Sequence, residues 1–122
     1  MSVPTLFLKS TCPFCLKVVV FMSEAGLMDK VKLEKDSDEN RATLQDIIGD
    51  EKLTFPALQL AAGEKPMMDS DGIIDHFVKS EGINLDTFQA LPYYKTGVMQ
   101  GYLRMVKHIG HAEAMDVIAG KI

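Results

Sequence analysis

The 122-residue sequence has no surplus of positive charge, no long apolar run and almost no cysteine. Its 13 lysines and arginines are outnumbered by 17 aspartates and glutamates, which gives a formal net charge of -4. A surface that binds nucleic acid needs clustered surplus cations. The longest apolar run, Val18–Met22, is far shorter than the roughly 20 residues that span a bilayer. We therefore expect neither a nucleic-acid partner nor a membrane partner.

The sequence also lacks a secretory signal, and its composition is otherwise ordinary. Residues Met1–Pro4 show neither a basic start nor the beginning of an apolar segment, so we expect a cytoplasmic protein. With 47% hydrophobic and 25% charged residues, the chain has an average globular composition. Its length is enough for one compact domain with its own core.

The only two cysteines, Cys12 and Cys15, are the most informative feature of the composition. A disulfide between them would close a very small loop and therefore stabilise the fold little. A structural zinc site needs about four ligands, and no second cysteine or histidine pair has suitable spacing. His108 and His111 flank Gly110 in a polar stretch, where we expect no metal. Redox chemistry is the remaining interpretation of the pair.

The first 83 residues alternate short strands and helices. Their order, βαβ followed by ββα, indicates two parallel strands joined by a helical crossover and an antiparallel hairpin at the edge. This order predicts an α/β, thioredoxin-like domain with a four-stranded mixed sheet over residues 1–83. The predicted strands are Thr5–Leu8, Val31–Glu34, Ala57–Leu60 and Pro66–Met68, and the predicted helices are Pro13–Ala25, a helix after Ser37 that ends at Gly49, and a helix from Asp69 to Gly82.

Residues 84–122 are predicted to form a helical C-terminal extension, called the arm below. Val98, Tyr102 and Met105 lie on one helical stripe, and Pro92 interrupts the first part of the arm. We expect the arm to pack either on the first 83 residues or on a second copy of the chain. The second alternative predicts a homodimer.

Cys12 is predicted to end a strand-to-helix loop and to begin a helix. At that position, unpaired backbone N–H groups and the positive end of the helix dipole stabilise a thiolate. The pKa of such a thiol falls below its usual value of about 8.5, which makes the sulfur a nucleophile near neutral pH. Pro13 fits the first helical position, and Cys15 lies one turn later, where a buried resolving thiol is expected.

Three sequence segments resemble the glutaredoxins and the amino-terminal domain of the glutathione transferases, and the likeness covers about two thirds of the chain. Lys-Ser-Thr-Cys-Pro-Phe-Cys, residues 9–15, is similar to the glutaredoxin active-site run, with Phe14 where tyrosine is commonest. Thr54–Pro56 resembles the Thr-Val-Pro segment, in which the proline is cis and the preceding backbone pairs with the glutathione cysteine. Asp-Ser-Asp, residues 69–71, resembles the segment that binds the γ-glutamyl end, with Asp69 in place of glutamate.

The resemblance implies that glutathione is the co-substrate and assigns a role to nine residues. Cys12 and Cys15 would be catalytic. Glutathione carries two carboxylates and one ammonium. Lys9 and the helix N-terminus at Ser70 suit the carboxylates, while Asp69 or Asp71 suits the ammonium. The implied glutathione-binding residues are Lys9, Phe14, Phe55, Pro56, Asp69, Ser70 and Asp71.

Each of these segments also has a purely structural explanation. Lys9 could be a solvated cation at a strand end. Residues 69–71 could serve only to cap a helix, and Pro56 could be an ordinary proline at the start of a strand.

Three functions therefore compete. The first is a glutathione-dependent thiol–disulfide oxidoreductase that reduces disulfide-bonded or glutathionylated proteins. The second is a conjugating enzyme similar to the glutathione transferases. The third is a partner-binding or dimerising module with a residual redox site.

Overall fold

The structure, a computed structural model in which residues 3–121 are described, combines a small sheet with helices on both of its faces. No helix in this part of the chain is long and apolar enough to cross a membrane. Short 3-10 turns occupy Met28–Lys30 and Leu85–Thr87. The strands and helices are β1 (Thr5–Leu8), α1 (Pro13–Glu24), β2 (Lys32–Lys35), α2 (Asp38–Ile48), β3 (Ala57–Gln59), α3 (Ser70–Glu81), α4 (Ala90–Tyr94), a π-helical segment (Lys95–Met99), α5 (Gln100–Ile109) and α6 (His111–Ile118).

The sheet has three strands in the order β2-β1-β3. β1 runs parallel to β2, with Leu6 opposite Leu33, and antiparallel to β3, with Leu6 opposite Leu58. The α1 crossover between two parallel strands is the arrangement that the sequence predicts. The sheet is thus the thioredoxin-like one, but smaller than expected.

The prediction of a fourth strand at Pro66–Met68 is wrong. Only Met67 pairs with the sheet, through two backbone hydrogen bonds of 2.8 Å with Leu58. Pro66 has no N–H and cannot extend the ladder on one side. On the other side, the chain reaches Asp69, the N-cap of α3, two residues after Met67. The segment has room for a single bridge.

The core lies on both faces of the sheet because alternate strand residues point to opposite sides. Leu6 and Leu58 face α1 and α3 in the larger cluster, whereas Phe7 and Ala57 face Leu44 of α2 in the smaller one. An apolar stripe at helical spacing on α1 supplies three side chains with no exposed surface, namely Val18, Phe21 and Met22. Burial of this stripe fixes the orientation of α1 and therefore the direction in which its first residue points.

The ends of α2 and α3 show which capping predictions are correct. Ser37 caps α2 through its hydroxyl, which accepts a hydrogen bond of 3.2 Å from the Asn40 N–H. Gly82 ends α3 with a φ of 64°, a left-handed conformation that suits glycine. Asp69 occupies the N-cap position of α3, yet its side chain makes no capping hydrogen bond. The carboxylate of Asp69 therefore has no structural partner at this helix end.

The arm packs against α1 and contributes to the main core. Leu91 of α4 is 3% exposed within the larger cluster, and the Phe88 ring stacks on Phe21 at 5.7 Å between centroids. Pro92 lies in the first turn of α4, where a missing N–H costs little, so it does not break this helix. The break falls instead at Gly110, between α5 and α6, with a φ of 86°. The boundary at residues 83 and 84 stays a prediction.

Glu24, at the end of α1, binds the N-terminus of α4. Its two carboxylate oxygens accept hydrogen bonds of 2.6, 2.9 and 2.8 Å from the backbone N–H groups of Gln89, Ala90 and Leu91. Desolvation opposes ionisation, but the three donors hold the pKa of the Glu24 carboxyl below its usual value. An ionised Glu24 therefore stabilises the attachment of the arm.

We expect Glu24→Gln to lower the melting temperature at pH 7 and to lower it less at pH 3. A carboxyl whose pKa is lower in the folded state stabilises the fold above its unfolded pKa, about 4.3, and loses that contribution as pH falls through the folded value. Melting curves of both proteins between pH 7 and pH 3 measure the gap, which is the difference between the melting temperatures of wild type and variant at each pH. Glu64→Gln, on an exposed turn without an ion pair in the described chain, is the matched control. An equal gap at both pH values would contradict the role of the charge.

Candidate active site

The two thiols lie at the start of α1, one above the other. Cys12 is the N-cap residue, and its Sγ accepts a hydrogen bond of 3.4 Å from the Cys15 N–H. Cys15 is only 2% exposed, and its Sγ accepts a hydrogen bond of 3.3 Å from the Lys9 N–H. Phe55 is joined to Pro56 by a cis peptide, as the resemblance implies, and its carbonyl oxygen is 3.7 Å from the Cys12 Sγ. The arrangement presents Cys12 outward and Cys15 inward.

The surroundings make the two thiols chemically different. A hydrogen bond from the Cys15 thiol is the main cause that lowers the pKa of Cys12 to about 6. Burial opposes this shift, while the N–H groups of Cys15 and Phe14 and the charge of Lys9 support it. The same thiol–thiol hydrogen bond, together with burial, raises the pKa of Cys15 well above its usual value. At neutral pH, Cys12 is the thiolate and Cys15 is the thiol.

We expect alkylation by iodoacetamide to modify Cys12 alone at neutral pH, with a half-maximal rate near pH 6, because the thiolate is the reacting species. Cys15→Ala removes the hydrogen-bond donor and should move this midpoint to higher pH. Mass spectrometry identifies the modified residue, and stopped-flow rates give the midpoint. Cys12→Ser is the control and should stay unmodified below pH 8. A wild-type midpoint near 8.5 would contradict the proposed electrostatics.

A cavity of about 600 Å³ lies beside Cys12, and eight of the nine predicted site residues line it. Its walls include the β1–α1 loop, the segment before β3 and the N-terminus of α3, together with residues of α1, α2 and the arm. Cys15, the ninth, lies beneath Cys12 and does not reach this cavity. The structure therefore brings three separated sequence segments to one place. The eight lining residues are Lys9, Cys12, Phe14, Phe55, Pro56, Asp69, Ser70 and Asp71.

The two aspartates at the start of α3 differ in their partners. The Asp71 Oδ1 accepts a hydrogen bond of 2.7 Å from Nζ of Lys17, a buried lysine whose ammonium is also 5.7 Å from the centroid of the Phe14 ring. This hydrogen bond is the main cause that lowers the pKa of the Asp71 carboxyl. Asp69 is exposed and makes no ion pair within residues 3–121. Of the two, Asp69 has the carboxylate available for a ligand ammonium.

Three cations of the cavity, Lys17, Arg41 and Lys52, were not among the residues predicted from the sequence. Arg41 of α2 places its guanidinium 5.1 Å from the centroid of the Phe55 ring and 2.8 Å from a carboxylate oxygen of Asp36. Lys52 also lines this cavity. Lys17 could have been identified from the sequence, because it is a charged residue within the apolar stretch of α1. Nothing in the local sequence indicates Arg41 or Lys52. The cavity holds cations and carboxylates together, which suits a ligand that carries both charges.

A second cavity, of about 340 Å³, meets the first one at Cys12 and is mainly apolar. The arm supplies much of its wall, including Val98, Met105 and Tyr94. The Tyr94 hydroxyl donates a hydrogen bond to the carbonyl of Pro13, so the arm contacts the turn that carries the thiols. Burial and the nearby cysteine charges raise the pKa of Tyr94 to about 12. Sequence reasoning predicted a helical arm, but it assigned no site residue to it.

The comparisons with solved structures concern the fold. A glutathione transferase Omega 3C from Trametes versicolor is similar at 17% identity and a TM-score of 0.55, over 88% of this chain and 44% of that one. A dehydroascorbate reductase from Chlamydomonas reinhardtii is similar at 23% identity and a TM-score of 0.55, over 98% and 56%. A glutathione transferase family member from Pseudomonas fluorescens Pf-5, solved with bound glutathione, is similar at 22% identity and a TM-score of 0.54, over 98% and 66%. The chain spans about half to two thirds of their length.

Sequence comparisons identify the family. A search of curated proteins finds no significant match. The family model of the glutathione S-transferase N-terminal domain matches residues 11–80, which is more than half of the chain and includes both thiols, the cis-proline segment and most of α3. The chain belongs to the glutathione S-transferase N-terminal domain family.

Proposed function

We propose that the protein is a glutathione-dependent thiol–disulfide oxidoreductase of glutaredoxin type. The observation that carries the proposal is the pairing of an outward thiolate with a buried thiol beneath it, at the edge of a cavity that contains charges of both signs. Its substrates are disulfide-bonded or glutathionylated proteins. We further propose that it acts in the cytoplasm, where cysteine pairs with such a role are kept reduced.

The proposed reaction begins with the Cys12 thiolate. It attacks the glutathione sulfur of a glutathionylated substrate, so that the substrate thiolate leaves and a Cys12–glutathione disulfide forms. A second glutathione thiolate then attacks the glutathione sulfur of this disulfide, which yields oxidised glutathione and regenerates the Cys12 thiolate. For a protein disulfide, Cys12 forms a mixed disulfide with the substrate, and Cys15 displaces the substrate and leaves a Cys12–Cys15 disulfide.

Glutathione is the ligand that the cavity residues suit best. Lys9, Asp69 and Ser70 all line the cavity. In this proposal, Lys9 and the α3 N-terminus at Ser70 bind the two carboxylates, and Asp69 binds the ammonium. The backbone of Phe55 lies beside the Cys12 sulfur, where it would align the cysteine part of the tripeptide. The similar structure from Pseudomonas fluorescens Pf-5 was solved with bound glutathione, which supports glutathione as the ligand.

The test is turnover of a glutathionylated small-molecule disulfide, coupled to glutathione reductase and NADPH oxidation. The proposal predicts steady turnover that depends on both the protein and glutathione. A folded protein without activity across pH 6 to 8 would overturn it.

The apolar cavity supports glutathione conjugation as a second candidate. This cavity lies next to the Cys12 sulfur, beside the proposed glutathione site, and an apolar electrophile could bind there. Conjugation of glutathione to a simple aromatic electrophile, surviving in the Cys15→Ser variant, would favour this function. Disulfide turnover without conjugation would favour the first.

A further inference from the structure

Tyr102 of α5 occupies the junction between the two cavities. Only three residues of the described chain line both cavities, namely Lys9, Cys12 and Tyr102. The tyrosine is 3% exposed, and its ring is held edge-on against the rings of Phe14 and His111, with centroid distances of 5.8 and 6.4 Å. The arm thus places a fixed phenol at the point where the nucleophilic sulfur meets both cavities.

The hydroxyl of Tyr102 differs from that of Tyr94 in having no assigned partner. Within residues 3–121 it makes no hydrogen bond to a protein atom, and it is not completely shielded from solvent. Burial and the negative charge of Cys12 raise the pKa of Tyr102. At neutral pH the phenol is therefore a protonated donor that remains available to a group bound in the cavities.

Thiol–disulfide exchange requires stabilisation of the thiolate that leaves. The attacking, central and leaving sulfurs lie roughly in line, and the reaction is slower when the leaving thiol has a higher pKa. In the proposed reaction, Cys12 attacks the glutathione sulfur, which is bound in the charged cavity. Tyr102 lines both cavities together with Cys12, so its side chain borders the space in which the mixed disulfide would bind.

We propose that Tyr102 is a further catalytic residue whose hydroxyl donates a hydrogen bond to the thiolate that leaves when Cys12 attacks a glutathione mixed disulfide. This inference rests on the proposed oxidoreductase function. The Cys12–glutathione S–S bond forms, the substrate–glutathione S–S bond breaks, and its electron pair remains on the substrate sulfur. The phenol stabilises that thiolate, which then takes a proton from water. No oxidant or reductant other than glutathione is needed.

The test compares wild type with Tyr102→Phe on mixed disulfides of glutathione whose leaving thiols range from acidic aromatic to basic alkyl thiols. The variant keeps the ring and removes only the donor. We expect little loss of kcat/KM for the acidic leaving groups and about a ten- to hundredfold loss for the basic ones, the range for a hydrogen bond to a charged group. Logarithmic plots of kcat/KM against leaving-thiol pKa should be steeper for the variant.

Tyr93→Phe is the matched control, because Tyr93 is 79% exposed and should give the wild-type plot. A parallel plot for Tyr102→Phe, whether lowered or unchanged, would overturn the catalytic role, since a purely structural effect does not depend on the leaving group. If wild type turned over none of these disulfides, the proposed function itself would fall, which is a distinct result.

Discussion

We expect Cys12→Ser to reduce turnover of a glutathionylated disulfide to the uncatalysed rate, while Cys15→Ser retains most of the wild-type rate. Cys12 has the lower pKa of the two thiols and lines the charged cavity, so removing its sulfur removes the nucleophile. The deglutathionylation cycle never uses the Cys15 sulfur as a nucleophile. A serine hydroxyl at position 15 preserves a hydrogen-bond donor to Cys12. The coupled NADPH assay measures both variants under identical conditions.

With a protein disulfide as substrate, both variants should lose turnover, but for different reasons. Resolution of that mixed disulfide needs a second thiol, so Cys15→Ser should stall with substrate attached to Cys12. Non-reducing electrophoresis detects the trapped complex. A fully active Cys12→Ser protein would eliminate the proposed mechanism, and an inactive but folded Cys15→Ser protein in the glutathione assay would show that both thiols are essential.

The second large effect concerns stability. We expect Leu91→Ala to lower the free energy of unfolding by about 2–5 kcal/mol, the usual cost of truncating a fully buried leucine. Leu91 belongs to the arm, yet it is 3% exposed inside the cluster formed by β1, α1 and α3. Urea unfolding followed by circular dichroism measures the change. Leu103→Ala, at a residue that is 50% exposed on α5, is the control and should change the value by less than about 0.5 kcal/mol.

Deletion of residues 86–122 extends this test to the whole arm. The truncated chain would lose Leu91 and Phe88 from the core, so we expect it not to fold. A folded and redox-active fragment that no longer self-associates would instead support the hypothesis that the arm is a dimerisation surface. Retention of both folding and the wild-type oligomeric state would contradict both roles.

Local sequence patterns predicted most of the fold because they act over short distances. The α1 stripe, Ser37 before α2 and Gly82 after α3 each combine local preferences with a consistent tertiary contact. The prediction of a fourth strand failed because Pro66 has no N–H to donate, which leaves Met67 as the one residue of Pro66–Met68 that pairs with β3. Strand length depends on tertiary geometry as well as residue type.

The residues of the candidate site that belong to a short sequence motif could be predicted. The residues that tertiary packing brings to the site could not. The Cys12–Cys15 spacing identified the redox pair. The pairing of Lys17 with Asp71, residues separated by 53 others, depends on how α1 and α3 cross. Tyr102 lines the cavities beside Cys12 because Glu24, Tyr94 and Leu91 attach the arm to the first part of the chain. Such contacts are consequences of assembly, so a single sequence does not reveal them.

The short sheet also bears on aggregation. An open strand edge offers backbone donors and acceptors to another chain, and such pairing propagates into fibrils. In the described chain the outer edge belongs to β2, where the 45% exposed Leu33 is flanked by the charged Lys32, Glu34 and Lys35. The opposite edge is shortened by Pro66, which has no N–H to offer. Charged side chains along the first edge and a missing donor beside the second disfavour pairing of one molecule with the next, so the protein should remain dispersed at high concentration.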